Sequence, residues 1–284
     1  DRGIREATIV GEGIGLAMRG FRPIAEIQYL DYLMFALQTL SDDLATVSYR
    51  SVGKQLAPLI VRTRGHRLEG MWHAGSPMGM ILNSLKGMLV LTPRNMVQAS
   101  GMYNTLMSCT DPALIVEPLN AYRLKEKEPL NLGEFTVPLG KIEIINPGTD
   151  ITVVSYGSTL KLVEKTISEL ERNNINIELI DIQSLIPFDL NKDIVESIKK
   201  TNKLLIVDED YPGGASSFIL KVLIEDHNGF KYLDSKPITL TAKEHRTPYG
   251  SDGDYFSKPS IDDIFEACYR IMHEYNPKKY PNNY

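Results

Sequence analysis

The sequence predicts an α/β protein of two tandem α/β domains with mostly parallel sheets, and three observations carry that prediction. Short apolar runs alternate with helix-period segments in two blocks, residues 1–119 and residues 144–277. A charged, proline-bearing stretch, residues 120–143, lies between them as a linker, and residues 278–284 form a tail. A chain of 284 residues is long enough for each block to bury its own core. Apolar strands separated by helices imply parallel sheets covered on both faces.

In the first block, a glycine-bearing helix containing Gly11, Gly13 and Gly15 is followed by a strand at residues 23–29. Leu33, Leu37, Leu40 and Leu44, at intervals of four, three and four, predict a helix with one apolar face. Strands follow at residues 58–63, 87–92 and 113–117, with a helix over residues 95–108 before the last. Ser76-Pro77 opens a further helix. The linker run PLNAYRLKEKEPLNLGEF is too mixed for a flexible Gly/Ser tether, so it is expected to pack against one domain.

The second block starts with a strand at residues 151–157 and a helix carrying Leu160, Val163, Ile167 and Leu170 on one face. A strand at 175–182, a helix at 190–200 and an apolar strand at 203–208 follow. After the Gly213-Gly214 turn come a helix at 216–226 and a short strand at 238–242. Ser260 caps the last helix, which turns Ile261, Ile264, Phe265 and Cys268 inward.

Composition narrows the function. With 43% hydrophobic and 24% charged residues, the chain fits a globular protein and not a disordered one. A net charge of −5 leaves no footprint for nucleic acid or an anionic membrane surface, and no apolar run is long enough to span a bilayer. Cys109 and Cys268 lie far apart without metal-ligand spacing, which fits a reducing compartment. The chain opens on Asp1 directly before a functional-looking motif, so it is expected to be a fragment or the later part of a longer polypeptide.

Two places carry chemistry. Glu6 stands among Ile4, Ala7, Ile9 and Val10, and a carboxylate in an apolar segment needs a partner or a functional reason to be there. The glycines after it do not make a dinucleotide loop: the sixth position is Leu16 and no strand precedes Gly11, so they are read as close-packing residues. The second place is the loop at residues 64–75, RGHRLEGMWHAG, with three glycines, two histidines, two arginines and the only Trp, more than a connector needs. His73 is its candidate acid/base group. His66 and Arg67 either hold a substrate carboxylate or a partner, or face solvent. His66, Glu69 and His73 lack the helical spacing of a zinc site, so no metal is assigned to this chain.

Glu6, the glycine-bearing helix, Arg22-Pro23, Glu26-Ile27-Gln28 and Asp31-Tyr32, with His73, Ser76-Pro77 and Ile186-Pro187-Phe188-Asp189, appear here in a telling order. That order resembles the β subunit of thiamine-diphosphate-dependent 2-oxo acid dehydrogenases, over Asp1 to about Asn276. The resemblance implies a transketolase-like pyrimidine-binding domain followed by a transketolase-type C-terminal domain. It implies that Glu6 hydrogen-bonds the aminopyrimidine ring of thiamine diphosphate, with Ile4 on the pocket wall and Tyr32 against that ring. His73 would act on protons or anchor the substrate near its carbonyl. Ala74 and Gly75 replace a Ser-Gln pair usual in the family, which removes the hydrogen bonds those side chains would make.

Ser251-Asp252-Gly253 with Asn282-Asn283 imitates the family's magnesium motif but lacks its first Gly and its strand. Magnesium and the diphosphate are therefore expected on an α-type diphosphate-binding subunit or domain. The further partners implied are a second β-type chain and a lipoyl-bearing acyltransferase. The activity implied is oxidative decarboxylation of a 2-oxo acid, pyruvate or branched-chain, with acyl transfer to the lipoyl group, and no activity of the chain alone. Its location would be the bacterial cytoplasm, or the mitochondrial matrix in a eukaryote. The family's β subunit carries about fifty further residues in front, so a truncated or fused α–β chain is expected. Two readings stay beside this one: a transketolase or deoxyxylulose-phosphate-synthase-like two-carbon transferase, and a non-catalytic assembly subunit.

Overall fold

The computed structural model describes residues 3–65, 73, 76–250 and 252–281. Helix α1 (Glu6–Met18) buries Val10, Gly13, Ile14 and Ala17, a single stripe at helical spacing. Only Gly13 serves close packing: a Cβ there would lie 2.8 Å from Leu59 Cδ1, whereas Gly11 and Gly15 face open space. The expectation that the glycines pack as a group is corrected accordingly.

Strand β1 (Ile24–Ile27) follows, and then the segment read as one leucine-faced helix. It is instead a 3-10 helix, Leu30–Ala36, a π-helical stretch, Thr39–Leu44, and the short α2 (Val47–Arg50). The reason is in the spacing: Leu30, Leu33 and Ala36, all buried, recur every third residue, the period of a 3-10 helix. Leu33, Leu40 and Leu44 are buried as the pattern required, while Leu37 is only partly so.

Strand β2 (Ile60–Gly65), helix α3 (Met78–Ser84), strand β3 (Leu89–Leu91), helix α4 (Met96–Ser108) and strand β4 (Ala113–Pro118) complete the first unit. Asn95 caps α4, its side chain accepting from the Gln98 N–H at 2.7 Å. β1 pairs with β2, β2 with β4 and β4 with β3, all parallel. The linker packs as expected: Phe135 lies against Gly101, and Val137 joins the cluster of Met102, Leu106 and Ile115.

The second unit begins earlier than its apolar pattern suggests, with β5 (Glu143–Asn146) antiparallel to β7. It continues with β6 (Ile151–Ser155), α5 (Leu160–Arg172), β7 (Ile177–Asp181), β8 (Ser184–Ile186), α6 (Asp193–Thr201) and β9 (Leu204–Val207). Helix α7 (Ala215–Lys221) runs on through the π stretch Val222–Asp226, and β10 (Ile238–Leu240), α8 (Gly253–Ser257) and α9 (Ile261–Tyr275) close the chain. A capping box between Ser260 and Asp263 starts α9. The second sheet has the order β10-β9-β6-β7-β5. β8 leaves it and adds antiparallel to β3, so the first sheet reads β1-β2-β4-β3-β8. Among the described residues no helix is long and apolar enough to cross a membrane.

The two units are therefore fastened by a strand, and also by a shared core. One buried cluster runs from Val10, Leu33 and Leu82 in the first unit to Tyr156, Ile180 and Leu223 in the second. A buried polar latch adds to it. Asp181, fully buried, accepts from Arg94 Nη1 at 2.7 Å, Gln98 Nε2 at 2.9 Å and the Gln183 N–H at 2.9 Å. Arg94 also grips Glu143 at 2.7 Å. Burial pushes the Asp181 carboxyl up, against the opposing pull of Arg94. Removing the cation from such a pair strands a buried carboxylate. Arg94→Ala is therefore expected to lower stability to urea by about 2–3 kcal/mol. A change within about 0.5 kcal/mol in equilibrium unfolding would refute the latch.

Candidate active site at the carboxyl ends of the parallel strands

In open α/β sheets ligands collect beyond the carboxyl ends of parallel strands, because loops diverge there. β1 and β2 lie side by side in that sheet. β1 runs into Tyr29–Tyr32, and β2 runs into the segment that carries His73. Gly65, the last residue of β2, passes directly over Leu30: a Cβ there would stand 2.6 Å from Leu30 Cβ. With Leu30 buried beneath it, the neighbouring Tyr29, Asp31 and Tyr32 are left half-buried at the rim.

His73 packs into this rim. Its ring stacks on Tyr29 with centroids 3.9 Å apart and planes within 12°, and meets Tyr32 edge-on at 5.3 Å. Its Nδ1 lies 3.5 Å from Asp31 Oδ2. Arg64 braces the other side of the cluster, donating from Nε to the Gln28 carbonyl at 3.0 Å with its guanidinium 5.0 Å from the Tyr29 ring centre. Two of the residues singled out in the sequence, His73 and Tyr32, thus meet. Tyr29 and Asp31 join them, and sequence reasoning missed both roles. Asp31 stood in the motif order without a role, and the only signal for Tyr29 was its place at the end of an apolar strand.

Glu6 is the first residue of α1 and half-buried. A carboxylate at that position is favoured by the helix dipole. α1 packs on the 3-10 helix Leu30–Ala36 and turns back through a short connection into β1. Glu6 thus stands at the start of the helix that packs on the 3-10 helix carrying Tyr32. Among the described residues, the apolar neighbours do not close around it. Ile9 and Val10 turn inward, but Ile4 is 87% exposed and Ala7 is exposed. Leu16, Met18, Phe21 and Ile24, along and after α1, are also exposed.

Below the rim, the strands are tied by a buried charge cluster. Glu117, on β4, is buried and accepts hydrogen bonds from the hydroxyls of Tyr103 and Tyr122 and from Arg62 Nη2 at 2.8 Å. Arg62, on β2, also lies 3.7 Å from Glu26 on β1. Burial, reinforced by the hydrogen bond to Glu117, pushes the Tyr122 hydroxyl up to about 12 and Tyr103 further still. Both tyrosines therefore stay neutral donors to one carboxylate.

A cleft of about 740 Å³ opens beside Asp31, between the start of α3, the turn before α7 and residues 244–247. Asp210 forms its floor. It accepts from the N–H groups of Gly79 at 3.0 Å, Tyr211 at 3.0 Å and Ala215 at 3.3 Å, so it ties α3 to α7 across the two units. Gly79 permits the contact: a Cβ there would lie 2.8 Å from Gly214 Cα. His245 and Arg246 line the opposite wall. His66, Arg67 and Glu69 lie outside the described residues, as do Ala74, Gly75, Ser251, Asn282 and Asn283. Among the described residues no group of three or more His, Cys, Asp or Glu could hold a metal ion.

Fold and site together define a transketolase-type protein of two α/β units. Residues 1–125 match the family described as transketolase, pyrimidine binding domain, and residues 140–256 that described as transketolase, C-terminal domain. The chain belongs to the β subunits of thiamine-diphosphate-dependent 2-oxo acid dehydrogenases. It is 30% identical over 268 residues to the pyruvate dehydrogenase E1 component subunit beta of Acholeplasma laidlawii, covering 93% of this chain and 80% of that one. It is 31% identical over 228 residues to the 2-oxoisovalerate dehydrogenase subunit beta of Bacillus subtilis (strain 168), covering 80% and 69%. A solved structure described as "Split gene transketolase, inactive beta4 tetramer" has the same fold, with a TM-score of 0.74 at 17% identity over 96% of this chain and 83% of that one.

Asp210 makes the cleft sensitive to pH. Burial, and then the charge of Asp208, raise its carboxyl from 3.8 to about 7. Between those values the folded chain holds a proton that the unfolded chain releases, so this contribution to stability declines as pH rises from about 4 to about 7. Asp210→Asn cannot titrate. The stability difference, wild type minus variant, is expected to shrink by about 2 kcal/mol between pH 5 and pH 7 in urea titrations. A difference independent of pH would contradict the assignment.

Proposed function

We propose that this chain supplies the pyrimidine-binding half of a thiamine diphosphate site in the decarboxylating component of a 2-oxo acid dehydrogenase complex. Supporting the reading is the meeting of Tyr32 and His73 beyond the β1–β2 pair, with Glu6 half-buried at the start of α1, the helix that packs on the 3-10 helix carrying Tyr32. The residues present fit one half of that cofactor. Tyr29 and Tyr32 offer aromatic surface, Glu6 a carboxylate, and Ile4 an apolar wall facing outward. They do not fit the other half. Gly11, Gly13 and Gly15 lie inside α1, where their N–H groups serve the helix and cannot cradle a diphosphate.

When bound, thiamine diphosphate supplies the nucleophilic carbon and the electron sink that decarboxylation of a 2-oxo acid requires. Glu6 would hold the aminopyrimidine ring by a hydrogen bond to a ring nitrogen. Tyr32 would pack against that ring, and Ile4 would exclude water from its edge. His73 would hold or move a proton at the substrate carbonyl. The diphosphate and its magnesium would be held by an α-type subunit or domain docked near the start of α1, where Ile4 is exposed. A second β-type chain and a lipoyl-bearing acyltransferase complete the assembly, the acyl group passing to the lipoyl arm. Pyruvate and branched-chain 2-oxo acids both fit this reading. Such a complex works in the bacterial cytoplasm or the mitochondrial matrix, and free Cys109 and Cys268 suit either reducing setting.

Glu6→Gln keeps the shape of the side chain and removes its charge. In the complex assembled with its α-type partner, this substitution is expected to lower 2-oxo acid decarboxylation by about 100-fold or more without loss of assembly. Full turnover by the assembled variant would favour a non-catalytic assembly subunit instead.

A further inference from the structure

We propose that Asp31 is the positioning residue for His73: its carboxylate receives the His73 Nδ1–H, fixing the tautomer that turns Nε2 toward the substrate. The inference rests on the reading of His73 given above and concerns how that ring is held. His73 Nδ1 and Asp31 Oδ2 are 3.5 Å apart, within ion-pair reach and a small side-chain rotation from a hydrogen bond. His73 Nδ1 and the other Asp31 oxygen, Oδ1, are both buried and have no hydrogen-bond partner among the described residues. An ionised carboxylate only accepts, so a hydrogen bond between the two residues requires the proton on Nδ1. That leaves Nε2 as the lone-pair nitrogen.

The surroundings hold this geometry from three sides. Tyr29 stacks flat on the imidazole and sets its plane, while Tyr32 meets it edge-on and limits rotation. Asp31 sits in the first turn of the 3-10 helix, between Leu30 and the fully buried Leu33, so its backbone cannot drift. Arg64, over the Tyr29 ring, bonds the Gln28 carbonyl and makes no ion pair with Asp31 among the described residues. An orienting carboxylate of this kind acts through the histidine and need not touch substrate. In other enzymes its loss costs catalysis while leaving the fold intact, because the ring settles in the wrong tautomer.

The test uses the complex assembled with its α-type partner, together with nitrogen-15 histidine NMR of the full chain. Asp31→Asn and Asp31→Ala are each expected to lower kcat about 100-fold with little change in KM. In a His73→Ala background, Asp31→Ala is expected to cost nothing further, because its effect passes through that ring. NMR of the unsubstituted chain should show the His73 proton on Nδ1, and the Asp31→Asn chain should show it moved to Nε2. Additive losses in the double variant, wild-type kcat in Asp31→Asn, or a proton on Nε2 in the unsubstituted chain would each overturn the proposal. His73→Ala with undiminished kcat would instead overturn the functional reading of His73, and this inference with it.

Discussion

The candidate site depends on how closely the end of β2 passes over Leu30. Gly65 has no side chain, so β2 can press onto Leu30 and remain in parallel register with β1. Any larger residue would lift the strand end or expel the leucine. Beside that contact, Tyr29, Asp31 and Tyr32 meet His73. The charge cluster of Glu26, Arg62 and Glu117 then keeps the three strands from sliding. Glu117 is buried and satisfied by one cation and two neutral hydroxyls, an arrangement that tolerates little displacement.

The second unit contributes rigidity more than chemistry. β8 extends the first sheet, the cluster around Tyr156 and Leu223 merges with the core beneath α1, and Asp181 receives Arg94 from the other side. Asp210 pins the start of α3 to the start of α7 through two backbone N–H groups. α3 begins five residues after His73 in the sequence, so this pin fixes the described element nearest to it on that side. Structure thus passes from the C-terminal unit to the rim of the site through two buried carboxylates, one paired with a cation and one held by backbone donors.

Much of this was legible in the sequence, for physical reasons that differ by element. Strands such as Ile151–Ser155 and Leu204–Val207 are buried on both faces and read as unbroken apolar runs. Helix Leu160–Arg172 announces itself by its apolar stripe. The buried face of the segment from Leu30 to Leu44 was legible too, but not its 3-10 and π character, which an interval of three or four leaves open. β5 and β8 were invisible because three or four residues carry no period, and only a partner strand defines them. At the site, Glu6, His73 and Tyr32 stood out through motif order. Asp31 belonged to that order but without a role, and Tyr29 did not stand out, since what marks both is His73, from a distant part of the chain, packed against them. The openness around Glu6 was also hidden: Ile4, Ala7, Ile9 and Val10 look alike in sequence, yet only Ile9 and Val10 turn inward.

Ile4 exposed beside the half-buried Glu6 suits a site completed by another chain. The direct measurement is thiamine diphosphate binding, with magnesium and by calorimetry, to this chain alone and to the chain mixed with an α-type subunit, alongside 2-oxo acid decarboxylation in both samples. The account predicts neither tight binding nor turnover from the chain alone, and both from the mixture. Decarboxylation by the isolated chain would show that the site is whole within it and would contradict the account.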